Sequence, residues 1–412
     1  MNAGPLRSVP FRWLVAARTT SILGNAVAPL ALAFAVLDLT GSATDLGLVV
    51  AARSVTNVAM LLLGGVIADR LPRNVVLVGT SIGAGVTQAI VAALVITGSA
   101  TIPLLVILSA LNGAVAAISM PASSALVPQT VTAEQLRPAN AILRLGLNGG
   151  AIIGAALGSV LVAIFGPGVG LAIDAGAFLV AALLFSRLRI PATPVIEAER
   201  SSVIRDLATG WREFTRRRWV WIVVVQFMVV NASITGGVAV LGPIVADSSF
   251  GRAGWGLVLA SETVGFIGGG LLALRWHPRH ALRVGVMFTA VCAVPILFLA
   301  ALPVVAVLMA AFFVGGIALE QFGIAWDQSL QQNIPADRLS RVYSYDAAGS
   351  YIAIPIGEVV VGPLAQNIGT VPVLLGCAVL IVLASVVAVS SRSVRALTTD
   401  QRSTVAESLE TL

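Results

Sequence analysis

Long apolar runs separated by short polar connections organise the chain. They fall at about 12–37, 44–68, 74–97, 102–126, 138–165 and 169–187, then at about 219–246, 253–275, 283–301, 303–327, 340–367 and 371–390. A helix needs roughly 20 mainly apolar residues to cross the hydrocarbon of a bilayer, so the pattern predicts twelve spanning helices in an all-α integral membrane protein. Pro29, Pro103, Pro121, Pro243, Pro295, Pro355 and Pro363 interrupt several runs. Spanning helices tolerate this when neighbours re-satisfy the backbone. The first run is too long for a signal peptide and lacks a small-residue cleavage site. The longest connection, 188–218, separates 1–187 from 219–390, with a polar tail at 391–412. Within it Val203, Leu207, Trp211 and Phe214 recur at helical spacing among Arg205, Arg212, Arg216, Arg217 and Arg218. That is the pattern of an amphipathic helix on a membrane surface, or of a plain tether between two six-helix bundles.

Composition removes most other classes. Of 412 residues 58% are apolar and 11% charged, against about 45–50% and about 25% in soluble domains. Every one of the 25 basic residues is arginine. Without lysine there is no P-loop and no Schiff-base chemistry. Two histidines and two cysteines leave almost nothing for a metal cluster or a disulfide framework, so no cofactor and no metal are expected. Cys292 and Cys377 sit in apolar runs and read as buried, inert thiols. The net charge of +6 does not mark a nucleic-acid surface. Twenty-one arginines fall on connections of one side, Arg252 alone falls on the other, and Arg18, Arg53 and Arg144 lie inside runs. The positive-inside rule then makes both termini cytoplasmic.

The two halves repeat each other. Gly64-Gly65-Val66-Ile67-Ala68-Asp69-Arg70-Leu71-Pro72-Arg73 follows the second run, and Gly269-Gly270-Leu271-Leu272-Ala273-Leu274-Arg275 follows the eighth. Thr132-Ala133-Glu134-Gln135-Leu136 precedes the fifth run and Pro335-Ala336-Asp337-Arg338-Leu339 the eleventh, with Gly146 and Gly154 matched by Gly349 and Gly357. Parallel repeats of this kind place a substrate site near the midplane, between halves that rock against each other. Over nearly its whole length the chain resembles the major facilitator superfamily. The Gly65-x-x-x-Asp69-Arg70-x-x-Arg73 stretch looks like that family's signature loop. Ala17-Arg18-Thr19, Ala51-Ala52-Arg53, Ile173-Asp174-Ala175 and the run from Trp326 through Gln331-Gln332 to Ser340-Arg341-Val342 resemble bacterial drug, macrolide and siderophore exporters. The resemblance implies proton-driven export. Members often carry Asp where Asn25 stands; the fourth-helix arginine motif is replaced by Ser109-Ala110-Leu111-Asn112-Gly113, and the fifth-helix element reads Gly154-Ala155-Ala156-Leu157-Gly158-Ser159.

Charges inside spans are costly and need a partner or a wet cavity. The resemblance implies that the second and eleventh helices meet, so Arg53 and Glu358 could bridge in one transport state. Glu262 and Glu320 are the other deep carboxylates. Burial disfavours the charged form of a carboxylate, as a proton-coupling group requires; recognition of a cationic substrate competes for either. Arg144 can snorkel to the inner rim. Asp327, Asp346 and Arg341 belong near the inner gate, and Asp174 reads as structural. Asp69, Arg70 and Arg73 could latch that gate through the positive end of the eleventh helix. The glycines of the fifth and eighth runs read as packing positions. Trp13, Trp219, Trp255, Trp276 and Trp326 near run ends suit interface anchoring, and His277 and His280 read as solvated. The reading is a membrane-embedded monomer that exports an amphipathic small molecule against protons, and not an enzyme. Import or facilitated flux of a metabolite or lipid, without proton coupling, is the alternative.

Overall fold

A computed structural model describes residues 4–70, 73–124, 126–132, 135–188, 211–212, 214–276, 278–334 and 336–397. Val203, Arg205 and Leu207 of the predicted amphipathic helix, His277, and the side chains of Asp69, Arg70, Arg73 and Arg341 lie outside the described residues, while the backbone of Gly65 belongs to the helix Ala43–Arg70. The first half comprises α1 (Val9–Asn25), α2 (Ala28–Thr40), α3 (Ala43–Arg70), α4 (Arg73–Ile96), α5 (Ile102–Ser124), α6 (Val127–Thr130), α7 (Leu136–Phe165) and α8 (Pro167–Ser186). The second comprises α9 (Arg218–Ile234), a π-helical turn (Thr235–Leu241), α10 (Gly242–Ser249), α11 (Arg252–Ala273), α12 (Ala281–Val291), α13 (Ala293–Ala301), α14 (Val305–Asn333), α15 (Ala336–Ile352), α16 (Ile354–Ile368), α17 (Thr370–Ser390) and α18 (Arg392–Arg395). Eleven stretches of the described residues are long and apolar enough to cross a membrane. The 28-residue α3 carries Asp45, Arg53 and Asn57 and is not among them.

The helix ends follow local chemistry. Proline opens α2, α8, α10 and α16 in the first turn, where its missing N–H costs nothing. Gly41 closes α2 at φ 64°, a left-handed conformation that residues with a Cβ avoid. Each half begins with an interrupted rod. In the first half the break is at Ala26 and Val27, between α1 and α2; in the second it is the π turn between α9 and α10. Such interruptions free backbone groups and often sit at functional sites.

The apolar interior forms three clusters, and their membership defines the architecture. One draws on both halves: Phe34, Leu46, Leu105 and Leu171 join Val240, Trp255, Ile296, Phe312, Val361 and Leu374. It lies toward the connections around 41, 98, 251 and 369, here termed the far end. The second cluster, with Phe11, Leu77, Leu126, Leu143 and Phe185, is confined to the first half. The third, with Phe214, Trp219, Val286, Trp326, Leu330 and Val394, is confined to the second. The halves therefore share one core at the far end and keep separate cores at the end bearing residues 11 and 394, the near end.

Across the halves α3 packs on α16 and α7 on α11. Glycine permits both approaches. A Cβ on Gly47 would strike the Glu358 carbonyl oxygen, and one on Gly256 would strike the Ser159 side chain. The fifth-helix glycines Gly146, Gly150, Gly154 and Gly158 face Thr19, Leu23 and Val27, as packing positions should. Outward, Leu183, Val379, Val387 and Ile107 are exposed, an apolar girdle that only lipid would solvate.

The tryptophan expectation needs correction. Trp219, Trp255 and Trp326 are buried rather than placed at a lipid interface. Trp255 packs edge-on against Phe312, and Trp326 against Trp219 and Phe322. Aromatic neighbours cover these rings within the protein, so they are shielded from lipid.

Candidate functional site

A polar seam crosses the shared core where α3 meets α16. Arg53 donates from Nη2 to the Asn25 Oδ1 at 3.1 Å, so the broken end of α1 supplies its acceptor. One residue on, Ser54 Oγ donates to the Glu358 Oε1 at 3.1 Å. Glu358 is 3% exposed, and its Oε2 has no hydrogen-bond partner among the described residues. The expected Arg53–Glu358 contact is thus indirect. The guanidinium turns toward Asn25 while its neighbour Ser54 takes the carboxylate, yet Arg53 stays within electrostatic reach of Glu358 and of Asp174.

Behind Arg53 lies a polar layer centred on Asp174, which the sequence marks out as a structural residue. Asp174 on α8 is fully buried and accepts a 2.6 Å hydrogen bond from Gln88 Nε2 on α4. Its Oδ1 is unpartnered among the described residues, and its backbone presses against Gly24, next to Asn25. Asn112 Nδ2 donates to Thr87 Oγ1 at 3.3 Å, and Thr56 Oγ1 donates to the Ala110 carbonyl at 2.7 Å. Asn112, in the stretch that departs from the family's arginine motif, belongs to this layer.

The second half carries a different environment. Glu262 on α11 lines a small pocket with room for about one water molecule, together with Ile234, Val238, Cys292, Pro295, Ile296, Phe312, Gly315 and Leu319. The interruption between α12 and α13 at Cys292 and the start of the π turn both border it. Glu262 has no hydrogen bond or ion pair among the described residues. Toward the near end, Glu320 on α14 is half-buried and lies within electrostatic reach of Arg144 on α7 and of Asp327. Arg144 itself is exposed. Asp346 accepts from Trp326 Nε1 at 2.9 Å and from Ser350 Oγ at 3.3 Å, and Tyr343 donates to Asp327 at 3.0 Å. Arg53, Asn25 and Glu358 therefore form one group. Glu262 stands apart, and Glu320, Arg144, Asp327 and Asp346 form a near-end set.

One functional contact was missed altogether. Arg252, the single arginine of its side, grips Asp38 at the end of α2 with both terminal nitrogens; Nη1 donates to Oδ2 at 2.9 Å. Its Nε donates to Asp247 at 2.7 Å, and the guanidinium carbon lies 4.6 Å from the Phe34 ring centroid. This clasp joins the halves at the far end, as does the 3.0 Å bond from Gln366 Nε2 to Ser42 Oγ. Its only sequence signal was a basic residue on a side otherwise free of them.

An apolar girdle, two halves sharing a core at one end, and buried charges along their seam are the features of a multi-pass membrane transporter. The chain belongs to the Major Facilitator Superfamily, whose sequence pattern matches residues 14–358. It is 25% identical over 399 residues to the multidrug efflux pump Tap of Mycolicibacterium fortuitum, covering 94% of this chain and 95% of that one. It is 27% identical over 296 residues to the enterobactin exporter EntS of Citrobacter koseri, covering 71% of this chain and 62% of the relative. Among solved structures, the nucleoside transporter NupG superposes with a TM-score of 0.77 at 14% identity, covering 92% and 98% of the two chains. A bacterial homologue of the human lysosomal transporter Spinster, inward-facing and unoccupied, gives 0.75 at 14% identity, covering 96% and 98%. These likenesses establish the fold. Family and girdle together make it a multi-pass protein of the plasma membrane.

Proposed function

We propose that the protein is a proton-driven exporter of an amphipathic small molecule, working by alternating access. In this reading α3 is the twelfth span, 1–187 and 219–390 are six-helix bundles, 188–218 is a cytoplasmic linker, and both termini are cytoplasmic. The observation that carries it is the split of the apolar interior. One core unites the halves at the far end and two cores separate them at the near end, which is the arrangement of a carrier open to the cytoplasm. Closing the near end would bring Arg144, Glu320, Asp327 and Asp346 together, with Asp69, Arg70, Arg73 and Arg341 as the latch. The seam then has to part at Arg53, Ser54 and Glu358. The exporter names of relatives matched over most of the chain support outward transport of a drug-like or siderophore-like compound.

Inside-out vesicles test the reading. Imposing an acid interior should drive accumulation of a fluorescent amphipathic dye, and a protonophore should abolish it. Accumulation indifferent to the protonophore would favour a facilitator, and no accumulation would favour import. In a sensitive host, wild-type chain should confer resistance to one compound class, and Glu320→Gln should lose it.

A further inference from the structure

The Arg53 seam contains one cation and two carboxylates, one from each half. Asp174 and Glu358 are 0% and 3% exposed. Each holds one oxygen by a single neutral donor, Gln88 Nε2 on Asp174 Oδ2 and Ser54 Oγ on Glu358 Oε1. Each leaves its other oxygen buried and unpartnered among the described residues. Arg53, between them, acts electrostatically on both but forms its hydrogen bond with neutral Asn25. With both carboxylates ionised the group would carry a net negative charge in a dry place, and an uncompensated buried charge is the costliest arrangement available. One proton restores neutrality.

Among the described residues nothing else supplies compensation. Arg53 is the charged group acting on Asp174 and on Glu358. Asp174 and Glu358 are the sole ionisable residues of α8 and α16, α5 and the π turn carry none, and α17 carries only the buried Cys377 thiol. On the remaining neighbours, Asp38 of α2 is held by Arg252 and Arg144 of α7 lies toward Glu320; on α15 Asp346 is bonded to Trp326 and Tyr343 to Asp327, while Tyr345 and Tyr351 do not act on either carboxylate. Of the other described side chains, Arg12 and Arg18 on α1, Asp45 at the start of α3 and Arg218 at the start of α9 do not act on either carboxylate.

We propose that Arg53, Asp174 and Glu358 form a binding site for one proton, held by either carboxyl, and that its position decides which half Arg53 is charge-paired with. With the proton on Asp174, the Arg53 cation is matched by the Glu358 carboxylate and ties α3 to α16. With the proton on Glu358, Arg53 is matched by Asp174 within the first half, and Glu358 keeps the neutral Ser54 hydrogen bond without a charge tie to α3. The proton leaves one carboxyl oxygen as the other carboxylate gains one, so the charge of the site is constant while the tie between halves is made or released. This deepens the proton-coupled reading above and rests on it for its role in transport.

Infrared difference spectroscopy of the purified full-length protein in lipid nanodiscs, at low against high pH, reads protonated carboxyl groups directly. Carboxyls elsewhere contribute equally to every variant and cancel. Wild type should carry one carboxylic C=O band that is missing from Asp174→Asn and missing equally from Glu358→Gln, because either change leaves Arg53 with a single counter-charge. Arg53→Gln should instead double the band. Two bands, each removed by its own variant alone, would overturn the shared site, as would a band insensitive to both. Should Asp174→Asn fail to fold, Glu358→Gln and Arg53→Gln give the same discrimination. If the spectra behave as stated while vesicle transport ignores the proton gradient, the transport reading fails and the site remains. If transport follows the gradient and the spectra do not, the site fails alone.

Discussion

Glu262 and Glu358 are both deep carboxylates, and their surroundings give them different work. Glu358 faces a serine hydroxyl and an arginine across the seam, whereas Glu262 looks into an apolar pocket where the Cys292 thiol is the one, weak donor among the lining side chains. A lone carboxylate against aliphatic and aromatic walls suits the charged end of an amphipathic cation. We expect Glu262→Gln to weaken binding of monocationic substrates about ten- to a hundredfold, the worth of a charge-assisted hydrogen bond. Neutral substrates should bind unchanged, and equilibrium binding to the purified protein checks both. At this scale the sequence was informative about which residues matter and poor about their partners. Arg53, Glu262 and Glu358 stood out because charge inside an apolar run is expensive. Asp174 stood out equally and was read as structural, because nothing in one dimension shows that α4 brings Gln88 to it and α3 brings Arg53.

Between elements, close approach is decided by the smallest residues. Gly47 lies against the Glu358 backbone, where a side chain meets a carbonyl oxygen that cannot swing away. Gly47→Val should cost the far-end-closed arrangement about 1–3 kcal/mol, the usual price of overpacking. The expected result is a shift toward the opposite state, seen as faster reaction of Ser42→Cys with a membrane-impermeant maleimide. The native cysteines, Cys292 and Cys377, are buried and should give little background. The long runs and their glycine-rich faces were legible because helices of this length follow from apolar content alone. The breaks in the first and seventh rods were not, since Pro29 and Pro243 mark where the next segment starts but do not show how the preceding turn ends.

For the molecule as a whole, the clasp of Arg252 with Asp38 and Asp247 holds the far end while the near end stands divided. It is partly solvated, so its contribution is discounted to on the order of 1 kcal/mol, or about a fivefold change in the balance between states. Arg252→Gln should therefore raise far-end accessibility about fivefold in the same labelling assay. A charge swap, Asp38→Arg with Arg252→Asp, should recover part of the loss; no recovery would make Arg252 a local cap for α10 and α11 only. By itself the sequence determined that the chain is a helical membrane protein with an internal repeat, and which few charges it hides. Hydrocarbon admits little else, and every buried charge is costly enough to be conspicuous. Only the tertiary structure decided that the two halves share a core at one end, that Arg53 stands between two carboxylates, and that Arg252 spans the halves. Those facts depend on which helices become neighbours, and adjacency between residues a hundred or more positions apart is set by packing rather than by any local pattern.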